Sequence, residues 1–362
     1  RLNVATSAQS GMVVAGTIAG EVHVQSGDSL FTGTARDGTT PLGLNVQIFP
    51  DGTLRAQADA GSLLWSRGGD SIAIRDGASV TIDRTDPNRT QIDAGAGSYE
   101  AISADGTKIT ATAGTVQVVH DAVGGVATVT VVAGSTHVEN PTWGSATLSE
   151  GVTFAATAEE HHFQATASSG QAQIALNDGR TLDVTNGRFD TSVGDTSSTV
   201  LIVGDRALYT VPEGSQLELR DGATIELTDD GARSRIAVAG GTLVWTLTNG
   251  RELTLTNGEA SVETEGDSQH QHLQGKLGVW RDPKWGTATF SDGLRLDVVN
   301  HADGSVDADA VEGDGVFQLN SGDTLRLRGA TAQMHTGPDG ASTRAAVTAG
   351  EGSWIGSGGR TF

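Results

Sequence analysis

The sequence predicts an all-β repeat protein, and three observations support that prediction. Between Val211 and Leu227, apolar and polar residues alternate with a period of two, which is typical of strands with one buried face. Glycine is abundant, with 50 copies in 362 residues, and many glycines follow Asp, Asn or Ser, as tight turns favour. Pro141, Pro212 and Pro283 lie at equal intervals of 71 residues, and strong helix formers do not cluster at helical spacing.

Two families of turns define the repeat. The first turn family comprises Ser26-Gly27, Asp105-Gly106, Asp178-Gly179, Asn249-Gly250 and Ser321-Gly322. The second turn family comprises Asp76-Gly77, Glu150-Gly151, Asp221-Gly222, Asp292-Gly293 and Gly358-Gly359. Together they indicate five copies of about 72 residues each. We place a segment that completes a repeat at 1–19, and the copies at 20–96, 97–169, 170–240, 241–314 and, as a partial copy, 315–362.

Two arrangements of strands fit this spacing. A third, weaker glycine turn at Gly52, Gly134, Gly204, Gly275 and Gly350 divides each copy into three segments of about 24 residues. In a β-solenoid-like stack, each segment is one coil and three coils make a copy. In the alternative, each Asp-Gly or Asn-Gly reverses the chain, and antiparallel β-hairpins stack on one another. The segment length favours the solenoid.

Composition and charge exclude several classes of partner and chemistry. The net charge of −21 repels nucleic acid phosphates and anionic lipids, so we expect neither as a partner. The most apolar run, Gly125 to Gly134, is too short to span a bilayer, so we expect no membrane insertion. The absence of cysteine excludes disulfides and thiolate metal sites. The chain begins at Arg1 without a leader segment, so we expect a processed form or a fragment.

The first and last residues predict a self-assembly junction. Arg1 to Val4 is similar to Arg295 to Val298, and the final segment, Gly352 to Phe362, aligns with Gly286 to Leu296. Unpaired strands at both ends of a stack are templates for strand addition. We therefore predict that copies join head to tail through Leu2, Asn3, Val4, Ala5, Arg360, Thr361 and Phe362. A closed ring within one chain is a further alternative.

Three residue patterns are candidates for binding. Acidic runs interrupted by glycine can hold calcium. We therefore predict Ca²⁺ as the one candidate cofactor, with the ligands Asp303, Asp307, Asp309 and Asp314. A plain acidic loop is the alternative. His161-His162 and His270-Gln271-His272 are candidate zinc ligands, but the sequence fixes no third ligand, so a solvated loop is the favoured interpretation. The six tryptophans either stack on sugars, giving a glycan contact, or fill the core, and the core is favoured.

The segment from Gly214 to Leu227 resembles the Leu-x-Asp-Gly-Ser-x-Val-x-Leu repeat of FecR-like periplasmic domains. Those domains are all-β modules of bacterial signalling and cell-envelope proteins. The resemblance covers about one fifth of the chain and implies an envelope setting and β architecture. Nothing in the sequence is similar to the membrane anchor or the anti-sigma segment of that family, so the signalling role is not implied.

These observations predict an extracellular or cell-surface structural protein that polymerises with copies of itself into a filament, sheath or surface layer. No Gly-x-Ser-x-Gly elbow or phosphate-binding loop is present, so we predict no enzymatic activity. An adhesin or phage-fibre shaft is the alternative. A polysaccharide-degrading enzyme on a β-helix is a further one, because paired carboxylates meet in space and not in sequence.

Overall fold

The computed structural model describes residues 2–8, 11–26, 28–35, 42–51, 53–83, 85–86, 89–95, 97–121, 126–159, 161–193, 198–229, 233–265, 268–291, 293–339, 342–359 and 361. These residues form 28 strands and no helix. They divide into two compact units. Unit 1 contains residues 1–159 and 163–186, and unit 2 contains residues 160–162 and 187–362.

The strands of unit 1 are mostly short at first and become long towards its end. They are β1 (Leu2–Ser7), β2 (Gly11–Ile18), β3 (Glu21–Ser26), β4 (Ser29–Thr34), β5 (Leu42–Ile48), β6 (Leu54–Ala58), β7 (Ser62–Arg67), β8 (Asp70–Arg75), β9 (Ser79–Asp83), β10 (Arg89–Gly95), β11 (Ser98–Ile102), β12 (Lys108–Asp121), β13 (Val126–Asn140), β14 (Gly144–Leu148), β15 (Thr153–Glu159) and β16 (His162–Leu176). The next strand, β17 (Thr181–Val193), is divided between the units.

Unit 2 repeats one group of strand lengths. After β18 (Ser198–Thr210) come two short strands, β19 (Gln216–Arg220) and β20 (Thr224–Asp229), and three long ones, β21 (Arg233–Thr246), β22 (Glu252–Glu265) and β23 (Ser268–Asp282). The same order returns as β24 (Gly286–Ser291), β25 (Arg295–Asn300), β26 (Val306–Leu319), β27 (Thr324–Thr336) and β28 (Thr343–Ile355). Corresponding strands begin 70 to 75 residues apart, close to the interval between the prolines.

In unit 1 the strands form two antiparallel rows. Row A consists of β3, β4, β7, β8 and β11, followed by the 108–112 half of β12, the 136–140 half of β13, and β14. Row B consists of β1, β2, β5, β6, β9 and β10, followed by the 116–121 half of β12, the 127–131 half of β13, and β15. Trp143, in the turn before β14, lies with its ring 6.1 Å from that of Phe154 on β15, so the two rows face each other.

Unit 2 has the same two rows. Row A contains β19, β24 and the 242–246, 252–256 and 277–282 halves of β21, β22 and β23. Row B contains β20, β25 and the opposite halves of those long strands. Each long strand therefore belongs to both rows and must bend between them.

Residues with positive φ make these bends. Asn257 has φ 46° and precedes Gly258, and Asn186 and Glu312, each followed by glycine, have φ 47° and 53°. A left-handed residue beside glycine is typical of a β-bulge that sharpens the bend of a strand. A Cβ atom on Gly258 would collide with the carbonyl oxygen of Gln274 on the paired strand, so only glycine fits there.

The two turn families have different roles. Asp105-Gly106, Asn249-Gly250 and Ser321-Gly322 join paired strands and are hairpin turns, as in Leu247 N–H to Arg251 O at 2.9 Å. Glu150-Gly151 and Asp221-Gly222 do not reverse the chain onto itself. The strands on either side of each turn pair with different halves of the same long neighbours, so these turns are corners between row A and row B.

The core lies between the rows. Alternate residues of each strand point into it, so that the inner residues of β26, for example, are Val306, Ala308, Ala310, Phe317 and Leu319, all buried. The all-β prediction is confirmed. Every strand pairing given for the described residues is antiparallel, as in the stacked-hairpin alternative, and these pairings do not confirm a five-copy solenoid. The described part of the chain contains no helix that is both long and apolar enough to cross a membrane.

Candidate functional site

The predicted N-terminal junction residues form an outer strand. Leu2, Asn3, Val4 and Ala5 belong to β1, which pairs with β2 and with no other strand of the described chain. Val4 is 64% exposed. Its counterpart in the sequence comparison, Val298 on β25, is fully buried, because β25 pairs with β23 on one edge and β26 on the other.

The predicted C-terminal junction is only partly described. Thr361 forms a single antiparallel bridge with Ile355 at the end of β28, while Arg360 and Phe362 lie outside the described residues. β28 pairs with β27 along its whole length, and Thr361 gives the only pairing on its other edge among the described residues. Val347, midway along β28, is 39% exposed.

Three of the four candidate calcium ligands, Asp303, Asp307 and Asp314, have separate hydrogen-bond partners. Asp303 accepts hydrogen bonds from the Ser305 hydroxyl and N–H, which lower the pKa of its carboxyl. Asp314 accepts a hydrogen bond from Gly329 N–H at 2.8 Å. The described residues contain no group of three His, Asp or Glu side chains placed to hold a metal ion. Calcium binding by Asp303, Asp307, Asp309 and Asp314 stays an untested prediction.

Asp307 instead forms a cluster with two histidines that sequence reasoning did not connect. Its carboxyl oxygens lie 2.7 Å from Nε2 of His301 and 2.7 Å from Nδ1 of His335. Burial raises the pKa of Asp307, but these two hydrogen bonds outweigh it and the pKa is lowered. The predicted histidine pairs are not brought together as a zinc site: His162 contacts Asp190, and His272 contacts Asp297.

The tryptophans are buried or half-buried, as expected if they fill the core. Trp65, Trp143, Trp245, Trp280 and Trp285 are each at most 8% exposed, and Trp354 is half-buried. They lie between the two rows of their unit and do not form an exposed stacking surface. The predicted glycan contact therefore has no exposed tryptophan platform in the described chain.

Sequence reasoning missed an apolar cavity between the rows of unit 1. Its volume is about 120 Å³. Row A contributes Trp65, Ile72, Ala101, Ile109, Val138 and Trp143 to its wall. Row B contributes Ile92, Val118, Val129, Phe154 and Ala156. Ile102, which is 36% exposed, and Asp105 also line it, so the cavity reaches the surface beside the turn between β11 and β12.

The mouth of the cavity is polar and fixed by local hydrogen bonds. Asn140 donates from Nδ2 to Thr107 Oγ1 at 2.8 Å, and Thr107 N–H donates to Asp105 Oδ1 at 2.9 Å. Asp70 Oδ1 accepts the Ala104 N–H at 3.0 Å. Carboxylates of Asp70 and Asp105 therefore line the opening, and the described residues that line it include no lysine or arginine.

The matching position in unit 2 is closed by an arginine. Arg251 and Thr107 each follow the glycine of a first-family turn, and Asp282 and Asn140 each precede a repeat proline. Arg251 Nε donates to Asp282 at 2.7 Å. Its other nitrogens cross to row B, where Nη1 reaches Gln269 and Nη2 reaches Asn300, at 2.7 and 2.8 Å. Only 1% of the Asp282 side chain is exposed.

Comparison with known proteins adds no family. No family model matches the chain, and no curated protein matches it. Among solved structures, the TCP10 domain of CPAP from Danio rerio, determined in complex with a peptide of STIL, is similar over 68% of this chain and 93% of that domain. The sequence identity is 11% and the TM-score 0.18, a likeness too low to support an inference about fold or function.

Proposed function

We propose that the chain is a structural β-stack protein that assembles with copies of itself by pairing β28 of one copy with β1 of the next. One observation carries the proposal. β25 is similar in sequence to β1 and has a strand on each edge, whereas β1 has a strand on one edge only within the described chain. An exposed strand edge offers unpaired N–H and C=O groups to another strand.

The second partner follows from the repeated strand group. β25 pairs with the first half of β23, the last strand of the first group, in the register Gln274↔Arg295 to Gln269↔Asn300. β28 holds the place of β23 in the second group. Its first half, from Thr343 to Val347, would accept β1 of another copy in the same way. Val4 would then become buried, as Val298 is.

The finer architecture and setting belong to the same proposal. Five copies of about 72 residues would form one solenoid-like stack, and pairing between chains would extend it into a filament, sheath or surface layer. We place this assembly outside the cell or at its surface. The resemblance of Gly214 to Leu227 to FecR-like envelope domains supports that placement.

Lysine on the edge strands tests the proposal. Lysine blocks edge-to-edge pairing in natural sheets, so Val4→Lys and Val347→Lys should each abolish assembly, measured by light scattering and negative-stain microscopy of the full chain. Val132→Lys is the matched control, because Val132 is 57% exposed but lies on β13, which has strands on both edges. Polymers of unchanged length from both edge variants, or a monomeric wild-type chain at all concentrations, would contradict the proposal.

A further inference from the structure

We propose that the cavity of unit 1 is a binding site for a small amphipathic amine, with its apolar chain or ring between the rows and its ammonium group at the polar mouth. This site is independent of the strand edges used for assembly. Three features of the structure support it: the size of the cavity, the side chains that leave it open, and the charge of its mouth.

The cavity has the size and surface of an apolar ligand site. An enclosed apolar cavity of about 150 Å³ is large enough for benzene and stays free of water. The cavity of unit 1, at about 120 Å³, is of similar size and therefore suits a short alkyl chain or a small ring. Its wall comes from both rows, so a ligand would contact apolar side chains on both sides. Half-buried Ile92 and Ala156 extend the apolar surface towards solvent.

The cavity results from small residues at places where unit 2 has large ones. Cross-strand neighbours along row A of unit 1 are Ala101, Ile109, Val138 and Ala146. The matching neighbours in unit 2 are Trp245, Leu253, Trp280 and Ala288. Two indole rings are thus replaced by a methyl and an isopropyl group. At these positions the interior of unit 2 is therefore filled by indole rings, and that of unit 1 is open.

The mouth of the cavity favours a positive head group. In unit 2, Arg251 reaches across to row B and hydrogen-bonds to Asn300. Its counterpart in unit 1 is Thr107, whose side chain is too short to reach row B. The carboxylates of Asp70 and Asp105 lie beside the opening. The chain carries a net charge of −21, so the surrounding potential also attracts cations and repels anions.

Methyl NMR of the full chain tests this site with three six-carbon probes. Hexylamine, hexan-1-ol and hexanoate should shift the methyl signals of Ile92, Val118 and Val129 saturably at neutral pH. Hexylamine should bind about fivefold more tightly than hexan-1-ol, since two opposite charges near 4 Å in water contribute about that factor. Hexanoate should bind most weakly. Between butylamine and hexylamine, each added methylene should tighten binding about fourfold.

Two cavity-filling variants and one control make the outcome decisive. Val138→Trp copies Trp280 and should abolish the shifts, and Ala156→Leu, a smaller change at the half-buried end, should weaken binding about tenfold. Val132→Trp places the same indole on an exposed position and should leave binding unchanged. The methyl signals of Leu44 and Val46, which are buried in unit 1 and do not line the cavity, report whether each variant is folded. No saturable shift with any probe, or shifts that persist in folded Val138→Trp, would overturn the site. Equal affinity for hexylamine and hexanoate would overturn the assignment of the head group.

Discussion

The two units build the same pair of rows, but their inner ladders differ in one respect. In unit 2 an aromatic residue occurs on alternate strands of the row A ladder, which runs Tyr209, Leu217, Trp245, Leu253, Trp280, Ala288, Phe317, Leu325 and Trp354. In unit 1 the corresponding ladder runs Phe31, Trp65, Ile72, Ala101, Ile109, Val138, Ala146 and Ile174. No aromatic residue follows Trp65 in this ladder, and the cavity lies along that stretch.

The difference shows that backbone pairing and interior filling are specified separately. Val138 pairs with Ile109 and Ala146 in the same register as Trp280 pairs with Leu253 and Ala288. The hydrogen-bonded rows therefore form with either side chain. The size of the inner residues then decides whether the space between the rows is packed or open.

The largest expected loss of stability comes from removing the Arg251 side chain of unit 2. Arg251→Ala leaves the carboxylate of Asp282 buried without its cation, which should lower the free energy of unfolding by about 4 kcal/mol. Urea titration followed by circular dichroism measures this loss. Arg220→Ala is the control, because the Arg220–Glu218 pair is exposed to solvent and its loss should change the stability little.

A double variant sharpens this comparison. Arg251→Thr combined with Asp282→Asn gives unit 2 the pair found in unit 1, where Asn140 bonds to Thr107. It should recover much of the stability lost in Arg251→Ala, because no charge is left buried. A double variant as unstable as Arg251→Ala would show that the lost contacts to Gln269 and Asn300, and not the buried charge, account for the effect.

The next largest effect comes from opening the interior of unit 2. Trp280→Val copies Val138 and should cost about 3 kcal/mol through lost burial and the cavity left behind. The variant should also gain a site for hexylamine, seen as new methyl shifts at Leu253. Loss of stability without new shifts would mean that the rows collapse onto the space, and the proposed origin of the unit 1 cavity would then be incomplete.

A smaller effect, a gain in stability, is expected from replacing Gln271. This residue holds the place of Val129, which lines the cavity of unit 1. Gln271 is 2% exposed, and neither its amide nitrogen nor its amide oxygen has a hydrogen-bond partner in the described chain. Gln271→Met keeps the volume and removes the unpaired groups, so it should raise the free energy of unfolding by about 1 kcal/mol. A loss of stability would indicate that water or a ligand satisfies the amide in solution.

The sequence was sufficient to predict strands and turns but not how the turns act. Alternation with a period of two depends only on one face being buried, so it was readable without knowing the neighbours. Asp-Gly occurs in both turn families, yet Asp105-Gly106 reverses the chain and Asp221-Gly222 turns a corner. In the corner, Asp221 and Gly222 both have positive φ, a combination that alone predicts a hairpin. Which strand lies beside the turn decides its role, and that is a long-range property.

The cavity could not be predicted because it depends on residues distant in the chain. Ala101 and Val138 are ordinary small residues on buried strands, and each is unremarkable by itself. A signal was present in the aligned copies, since Trp245 and Trp280 occupy the matching positions. It becomes informative only when the register shows that Ala101 and Val138 both flank Ile109 on the same inner face.

Pressure-dependent methyl NMR tests most directly whether unit 1 is open where unit 2 is filled. Pressure favours states that eliminate internal voids, so a unit with a cavity opens at lower pressure than a filled one. The signal of Ile109 in unit 1 should therefore lose native intensity before that of Leu253 at the matching position of unit 2. Loss at the same pressure, or earlier loss in unit 2, would contradict the account.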